Sequence, residues 1–477
     1  MLFSSMTFIF LFLPLVITLY HTAPRGLGNS ILLAASILFY AWGEPVYCQI
    51  LFLIVAANYC AALLMSRFRS CRTAFLVTAL LINFGVLFHF KYMDFLASNL
   101  AGFNISGQNW FRGFLPIGIS FYTFQSVSYL IDVYRQEIPA QRNFFKLSLF
   151  VALFPQMIAG PILKYHDIAP QIDHRETDFA LFAYGVKRFI LGLAKKMLIA
   201  NVLGAAADQF FNIKGGILYP SWMFWFGAVA YMFQIYYDFS GYSDMAIGLG
   251  SMFGFRFPEN FNYPYISRTI TEFWRRWHIS LSSWFKEYLY IPLGGNRVSR
   301  GRNYFNLLIV FLATGMWHGA SWNFILWGLW HGFFIILEKA TGLHEKKLSR
   351  AGRFLAHLYT LFVVLFGWVL FRADNLAEAC SFFRHMFGIM DGARPMLNWR
   401  VFFDNEILGA LILAALCSGP VFSRMIAAPA QDGPGNDVPR PKIWKTVLVN
   451  SWLMVLFVLS VTKIAASTYN PFIYFRF

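Results

Sequence analysis

Apolar stretches close to bilayer length recur along this chain, at 7–20, 30–42, 46–65, 74–90 and 114–134 in its first third alone. About 20 helical residues cross a hydrocarbon core about 30 Å thick, and a helix satisfies its own backbone there without water. The repetition restricts the chain to an all-α polytopic integral membrane protein. Charge agrees, since 13% of the 477 residues are charged and 58% hydrophobic, where soluble domains carry about a quarter charged residues. The formal net charge of +16 reports topology rather than nucleic-acid binding, because Lys and Arg collect in loops kept in the cytoplasm.

Arg25 follows the first run, and Arg67, Arg69 and Arg72 follow the third. Both loops are therefore read as cytoplasmic, with the N-terminus outside. The first run lacks a basic leader and a small-residue cleavage site, which reads as a retained helix. The stretch 94–113 falls outside, and the fifth run returns to a basic loop from Arg135 to Arg142. Runs at 144–163, 179–204 and 221–252 precede the next basic loop. An even number of crossings is needed there, so one of these segments is re-entrant or broken. Asp238, Ser240, Gly241, Ser243 and Asp244 interrupt the last of them, and polar backbone at depth is tolerated only inside protein or around a cavity.

Between Ser267 and Arg302, seven basic residues stand against Glu272 and Glu287, which makes this the most strongly cytoplasmic loop. Its aromatic pattern suggests helices lying in the interface. Lys346, Lys347, Arg350 and Arg353 mark a second cytoplasmic cluster. The residues between fit a helical hairpin, 304–318 outward and 322–340 back. Fifteen helical residues reach about 22 Å, which puts His318 deep, at the hairpin tip. Runs at 353–371, 406–424 and 444–465 and a flexible Pro/Gly/Asp-rich loop at 428–442 close the chain. The whole reads as one integral domain over 1–477 of about eleven crossings plus re-entrant or interfacial helices. N-terminal helices occupy 1–143, a core 144–343, and C-terminal helices 344–477.

The hairpin sequence GMWHGASWNFILWGLWHG, Gly315 to Gly332, places His318 and His331 in apolar surroundings. An imidazole in a membrane segment is a functional candidate by default. Gly319, Ala320 and Ser321 leave room beside His318, where a neutral imidazole can take a proton from an acceptor hydroxyl; a structural histidine donating to a carbonyl is the alternative. His331 reads as helix packing ahead of catalysis. His278, in the basic loop, reads from composition as solvated. Asp132, Asp238 and Asp244 read as structural ion pairs. Lys187, Arg188, Lys195 and Lys196 read as snorkelling to headgroups, with binding of an anionic donor's phosphates as the alternative, and Arg275 and Arg276 have the same two readings. The five cysteines, Cys48, Cys60, Cys71, Cys380 and Cys417, show no CxxC pair and read as apolar fillers. No Walker A, GxGxxG, HExxH or GxSxG sequence appears, so ATP-driven transport, zinc proteolysis and elbow-type hydrolysis have no support and no metal is expected.

Four stretches carry a resemblance: PIGISFYTFQSVSYLIDVYR at 116–135, FPQMIAGPILKY at 154–165, YYDFSGYSDMAIGLG at 236–250, and FWRRWHISLSSWFKEYLYIPLGGNR followed by TGMWHGASWNFILWGLWHG within 273–332. With them the chain resembles the membrane-bound O-acyltransferases, in particular the bacterial branch that O-acetylates alginate, and more distantly the proteins of teichoic acid D-alanylation. The resemblance implies a helical ring around a thin core. It implies that His318 is the catalytic histidine and that His278 is its second site position, on a loop folded inward. Trp317, Asn323, Asp238, Asp244 and His331 are then candidates to support them, and Arg275, Arg276 and Lys286 to bind the donor. It further implies acetyl-CoA as acyl donor, no bound cofactor, and a periplasmic acetyltransferase partner of the SGNH-hydrolase type.

The expected function is acetyl transfer from a cytoplasmic donor across the bacterial inner membrane for O-acetylation of an exported, alginate-like polysaccharide. Acetylation of cellulose or peptidoglycan and D-alanylation of teichoic acid are the alternatives within the class. A transporter or flippase without bond chemistry is the competing class. It would explain the helices and polar breaks but not the WHG and WHISLS blocks together.

Overall fold

The computed structural model describes residues 1–100, 115–212, 219–343, 346–389, 404–421 and 443–473. Every regular element among them is a helix. The expected loop at 428–442 and most of the stretch 94–113 lie outside the described residues. Five helical stretches are long and apolar enough to cross a membrane: Tyr47–Arg67, Arg69–Leu100, Phe179–Phe211, Arg350–Arg372 and Ile443–Ala466. Phe8–Thr22, Gly28–Ala41 and Asn405–Cys417 are shorter apolar helices. The chain is a multi-pass helical membrane protein. It forms two compact units, Met1–Phe189 with Met245–Pro258, and Ile190–Asp244 with Glu259–Phe477.

In the first unit, α1 (Leu13–Thr22), α2 (Gly28–Ala41), α3 (Tyr47–Arg67), α4 (Arg72–Leu100) and α5 (Ile119–Arg135) follow one another. The run at 144–163 then breaks into α6 (Phe144–Ala152) and the single turn α7 (Phe154–Met157), followed by α8 (Tyr165–Asp173). Leu153 leaves the helical region with ψ 113, and Pro155 stands in the first turn of α7, where its missing N–H cannot extend the preceding helix. Packing here is aromatic. Phe8, Phe39 and Phe154 are fully buried and pack on Phe12 and Phe189.

The sequence put its polar interruption in a different run. That run is in fact α11, an unbroken helix of 32 residues from Ser221 to Met252, reached from α9 (Phe179–Ala194) through a π-helical turn at Lys195–Ala200 and α10 (Asn201–Phe211). Its acids are satisfied sideways rather than by opening the backbone. Lys196 Nζ lies 2.6 Å from Asp238 Oδ1, and Lys195 Nζ lies 2.7 Å from Asp244 Oδ2. Close helix approach helps: a Cβ on Gly241 would fall 2.7 Å from the Gly192 carbonyl. Lys196 is therefore buried, not snorkelling.

Two short helices follow, α12 (Ile270–Arg276) and α13 (Ile279–Phe285), then the expected hairpin as α14 (Arg300–His318) and α15 (Trp322–Thr341). Gly315 and Gly328 set the crossing of the hairpin arms. A Cβ on Gly328 would meet the Phe311 carbonyl at 2.3 Å, and one on Gly315 the Phe324 carbonyl at 2.3 Å. α16 (Arg350–Arg372), α17 (Leu376–Met386), α18 (Asn405–Cys417) and α19 (Ile443–Ala466) complete the second unit.

Candidate active site

The loop carrying His278 is fastened at its start by two carboxylates. Thr269 caps α12 by accepting from the Glu272 amide at 2.9 Å, and Glu272 reaches back to the Arg268 amide at 2.9 Å, a close variant of the capping box. Glu338, buried on α15, accepts the Ile270 amide at 2.5 Å and the Thr271 amide at 2.9 Å. A carboxylate is favoured at a helix N-terminus, so the hairpin holds α12 directly.

His278 then stands between α12 and α13 with φ 44, in the left-handed region. Such strain in a non-Gly residue persists only where the surroundings over-determine it. Here Asn260 does so. Its Oδ1 accepts from the Ser280 amide at 3.2 Å and the Ser280 hydroxyl at 2.9 Å, while its Nδ2 donates to Ser243 Oγ at 3.1 Å. The Ser280 amide can only donate, which fixes the Asn260 oxygen on that side. His278 Nδ1, 3.2 Å from the same oxygen, therefore carries the proton and leaves Nε2 as the basic nitrogen. His278 is 0% exposed. The solvated histidine expected from composition is corrected by a fold that turns the basic residues out and this ring in.

His318 ends α14, where Gly319 turns to extended backbone. Its ring is boxed by Trp317 at 4.9 Å, Trp327 at 4.9 Å and Phe371 at 5.1 Å, all near-perpendicular. Trp317 also faces His278 at 6.0 Å, and Phe239 covers His278 at 4.6 Å. Trp327 in turn faces His331 at 5.2 Å. The order in space is His278, Trp317, His318, Trp327, His331, three imidazoles separated by two indoles. The structure thus brings together histidines that the sequence separates by about 40 residues.

The other candidates are placed elsewhere. Asn323 donates to the Ala373 carbonyl at 2.6 Å and ties the start of α15 to the end of α16. Asp238 and Asp244 are taken by the lysine pairs described above. Arg276 is held by Glu272, with Nε and Nη2 each 3.0 Å from Oε1, while Arg275 and Lys286 are exposed. Asn260 and Glu338 were not singled out from the sequence, although Glu338 is an acid at the end of an apolar run and Thr269–Glu272 spells the cap. All five cysteines are free. In the first unit, Asp132, Glu137 and His166 lie close enough to share a cation. Asp132 Oδ2 lies within hydrogen-bond reach of His166 Nδ1, at 2.9 Å.

Burial pushes the His278 imidazole down to about 3. Its loop is not a spanning segment, and the consequence is measurable. Because the folded value lies below the unfolded one of about 6.5, the stability linked to the neutral ring is complete above pH 6.5. It is lost as pH falls towards the folded value, by about 1.4 kcal/mol per pH unit. Thermal unfolding in detergent between pH 7 and 5 should show a steeper loss for the wild type than for His278→Asn, and parallel curves would contradict it.

Two buried imidazoles on the hairpin and one on the loop before it thus line up with two indoles. The profile of the membrane-bound O-acyltransferase family matches residues 132–383, and the chain belongs to that family. It is similar to the probable alginate O-acetylases of Pseudomonas aeruginosa, at 40% identity, and Azotobacter vinelandii, at 39%, in each case over 100% of both chains. It is also similar to the peptidoglycan O-acetyltransferase of Helicobacter pylori, 37% identical over 82% of this chain and 80% of the relative.

Proposed function

We propose that this protein passes acetyl groups from a cytoplasmic thioester, acetyl-CoA, to the far side of a bacterial inner membrane for O-acetylation of an alginate-like polysaccharide. The observation that carries the proposal is the pairing of His318 and His278 across Trp317. The relatives support the acceptor class, since likeness to the alginate O-acetylases extends over the whole chain and that to the peptidoglycan enzyme does not. About eleven crossings, with the N-terminus outside, put the His278 loop on the donor side and the His318 end of α14 towards the acceptor. A periplasmic partner of the SGNH-hydrolase type then places the group on the polymer.

In the proposed step, the acceptor hydroxyl gives its proton to a His318 ring nitrogen, and its oxygen attacks the thioester carbonyl carbon. The C–S bond breaks, and the leaving thiolate takes the proton from the imidazolium. An ester and a free thiol result, and His318 returns to neutral. The aromatic box excludes water that would otherwise hydrolyse the donor. His278, with Nε2 basic, stands on the donor side of Trp317.

Proteoliposomes supplied with acetyl-labelled acetyl-CoA on one face and a hydroxyl acceptor on the other test this. Labelled ester on the acceptor and stoichiometric free CoA on the donor face are expected. Intact acetyl-CoA crossing to the acceptor face would instead establish transport without bond chemistry.

A further inference from the structure

In the first unit, the turn between α3 and α4 meets the loop that follows α5, and the two enclose a cavity of about 330 Å³. That is the small end of ligand pockets, which run from about 300 to 1,000 Å³. Arg69 and Arg72 line it, beside Tyr134 and Glu137. The Arg72 guanidinium lies 5.1 Å from the centroid of the Tyr134 ring, and Tyr134 Oη is 3.2 Å from Thr73 Oγ1. Neither arginine pairs with a carboxylate among the described residues. Glu137, the acid of the pocket wall, stands 3.9 Å from Arg135 instead.

The chemistry of the pocket narrows what it can hold. An arginine oriented by stacking on an aromatic ring, rather than by an acid, keeps its fork of N–H donors for an anion. Such forks match the oxygens of a phosphate. Position narrows it further. Tyr47–Arg67 and Arg69–Leu100 are each long and apolar enough to cross a membrane, so the turn between them lies at a bilayer surface. From Thr73 a stripe at helical spacing, Val77, Leu81, Phe84 and Phe88, runs along α4, and all four are 42–69% exposed. That face suits acyl chains, and a soluble phosphate on the arginines would leave it uncovered. Arg67, by contrast, lies over Phe68 at 5.7 Å and is not part of the pocket wall.

We propose that this pocket binds the phosphate of an anionic phospholipid headgroup through Arg69 and Arg72, with the lipid's chains lying along the exposed stripe of α4. Basic pockets beside membrane helices take such headgroups. The first unit carries none of the three aligned histidines, so the site stands apart from the acyl transfer proposed above.

Delipidated full-length protein in neutral detergent is titrated with dioctanoyl-phosphatidylglycerol and with dioctanoyl-phosphatidylcholine, and bound lipid is counted by native mass spectrometry. Saturable binding of phosphatidylglycerol is expected, about tenfold or more tighter than that of phosphatidylcholine, on the order of one charge-assisted hydrogen bond. Arg69→Gln and Arg72→Gln together should erase that preference, whereas Arg67→Gln should keep it. Arg72→Lys, which retains the charge but not the fork stacked on Tyr134, should keep only part of it. Both lipids are measured on each preparation, so the ratio does not depend on the fraction folded. A wild type without the preference, a double variant that keeps it, or an Arg67→Gln protein that loses it as fully overturns the proposal. Glycerol 1-phosphate displacing the lipid at a comparable concentration would overturn it too, by making the pocket a site for soluble phosphates.

Discussion

His318→Ala is expected to lower acetyl transfer by about 10²–10⁴-fold, the range for removing a positioned general base, while membrane insertion and donor KM stay near wild type. The ring is flanked by Trp317, Trp327 and Phe371, each near-perpendicular at 4.9–5.1 Å. Packing of that kind orients an imidazole without taking over the lone pair that a base needs. Alanine leaves a cavity in the box, so His318→Gln, closer in volume, is the companion variant. It should lose transfer just as far with little change in thermal stability. Single-turnover transfer from labelled acetyl-CoA in proteoliposomes reads the chemical step apart from product release. Transfer above about a tenth of wild type in the glutamine variant would mean that His318 does not take the proton. A loss confined to KM would make it a binding group instead.

What could be read from the sequence follows from which physical signal is local. The hairpin 304–318 and 322–340 was legible because two basic clusters bracket about 40 residues, and α14 and α15 fall within a few residues of those bounds. Burial of His278 was not. Seven basic residues around it imply water, and only Asn260, Ser280 and Glu338 acting together turn the segment inward. Those contacts join residues up to 68 apart. Which of the three runs is broken was left open by the sequence for a related reason. Asp238 and Asp244 look like backbone interruptions when their lysines, on a different helix, are not in view. The local breaker, Pro155 beside Leu153, was present all along in an apolar run that seemed continuous.

Lys196→Met is expected to destabilise the protein by about 3–5 kcal/mol, the cost of leaving one member of a buried pair uncompensated. The side chains of Lys196 and Asp238 are 1% and 3% exposed, so neither charge can fall back on solvent. The pair is also where the chain's last described residues are anchored. Lys196 Nζ donates to the Pro471 carbonyl at 2.6 Å, and Asp238 Oδ2 accepts the Ile473 amide at 2.9 Å. Tyr469 meanwhile donates to Asp208 at 2.7 Å, and Phe472 stacks on Tyr242 at 4.6 Å. Losing the lysine should therefore loosen this segment first, seen as faster carboxypeptidase trimming before global unfolding. Asp238→Leu alone should be comparably harmful, because it strands the lysine. The double variant should be more stable than either single one, since an apolar pair of similar volume replaces a buried ion pair at little or no net cost. Melting curves of the four proteins complete the cycle. Simple additivity of the two single losses would show that the charges are not coupled and that the segment is held by its aromatic and hydroxyl contacts alone.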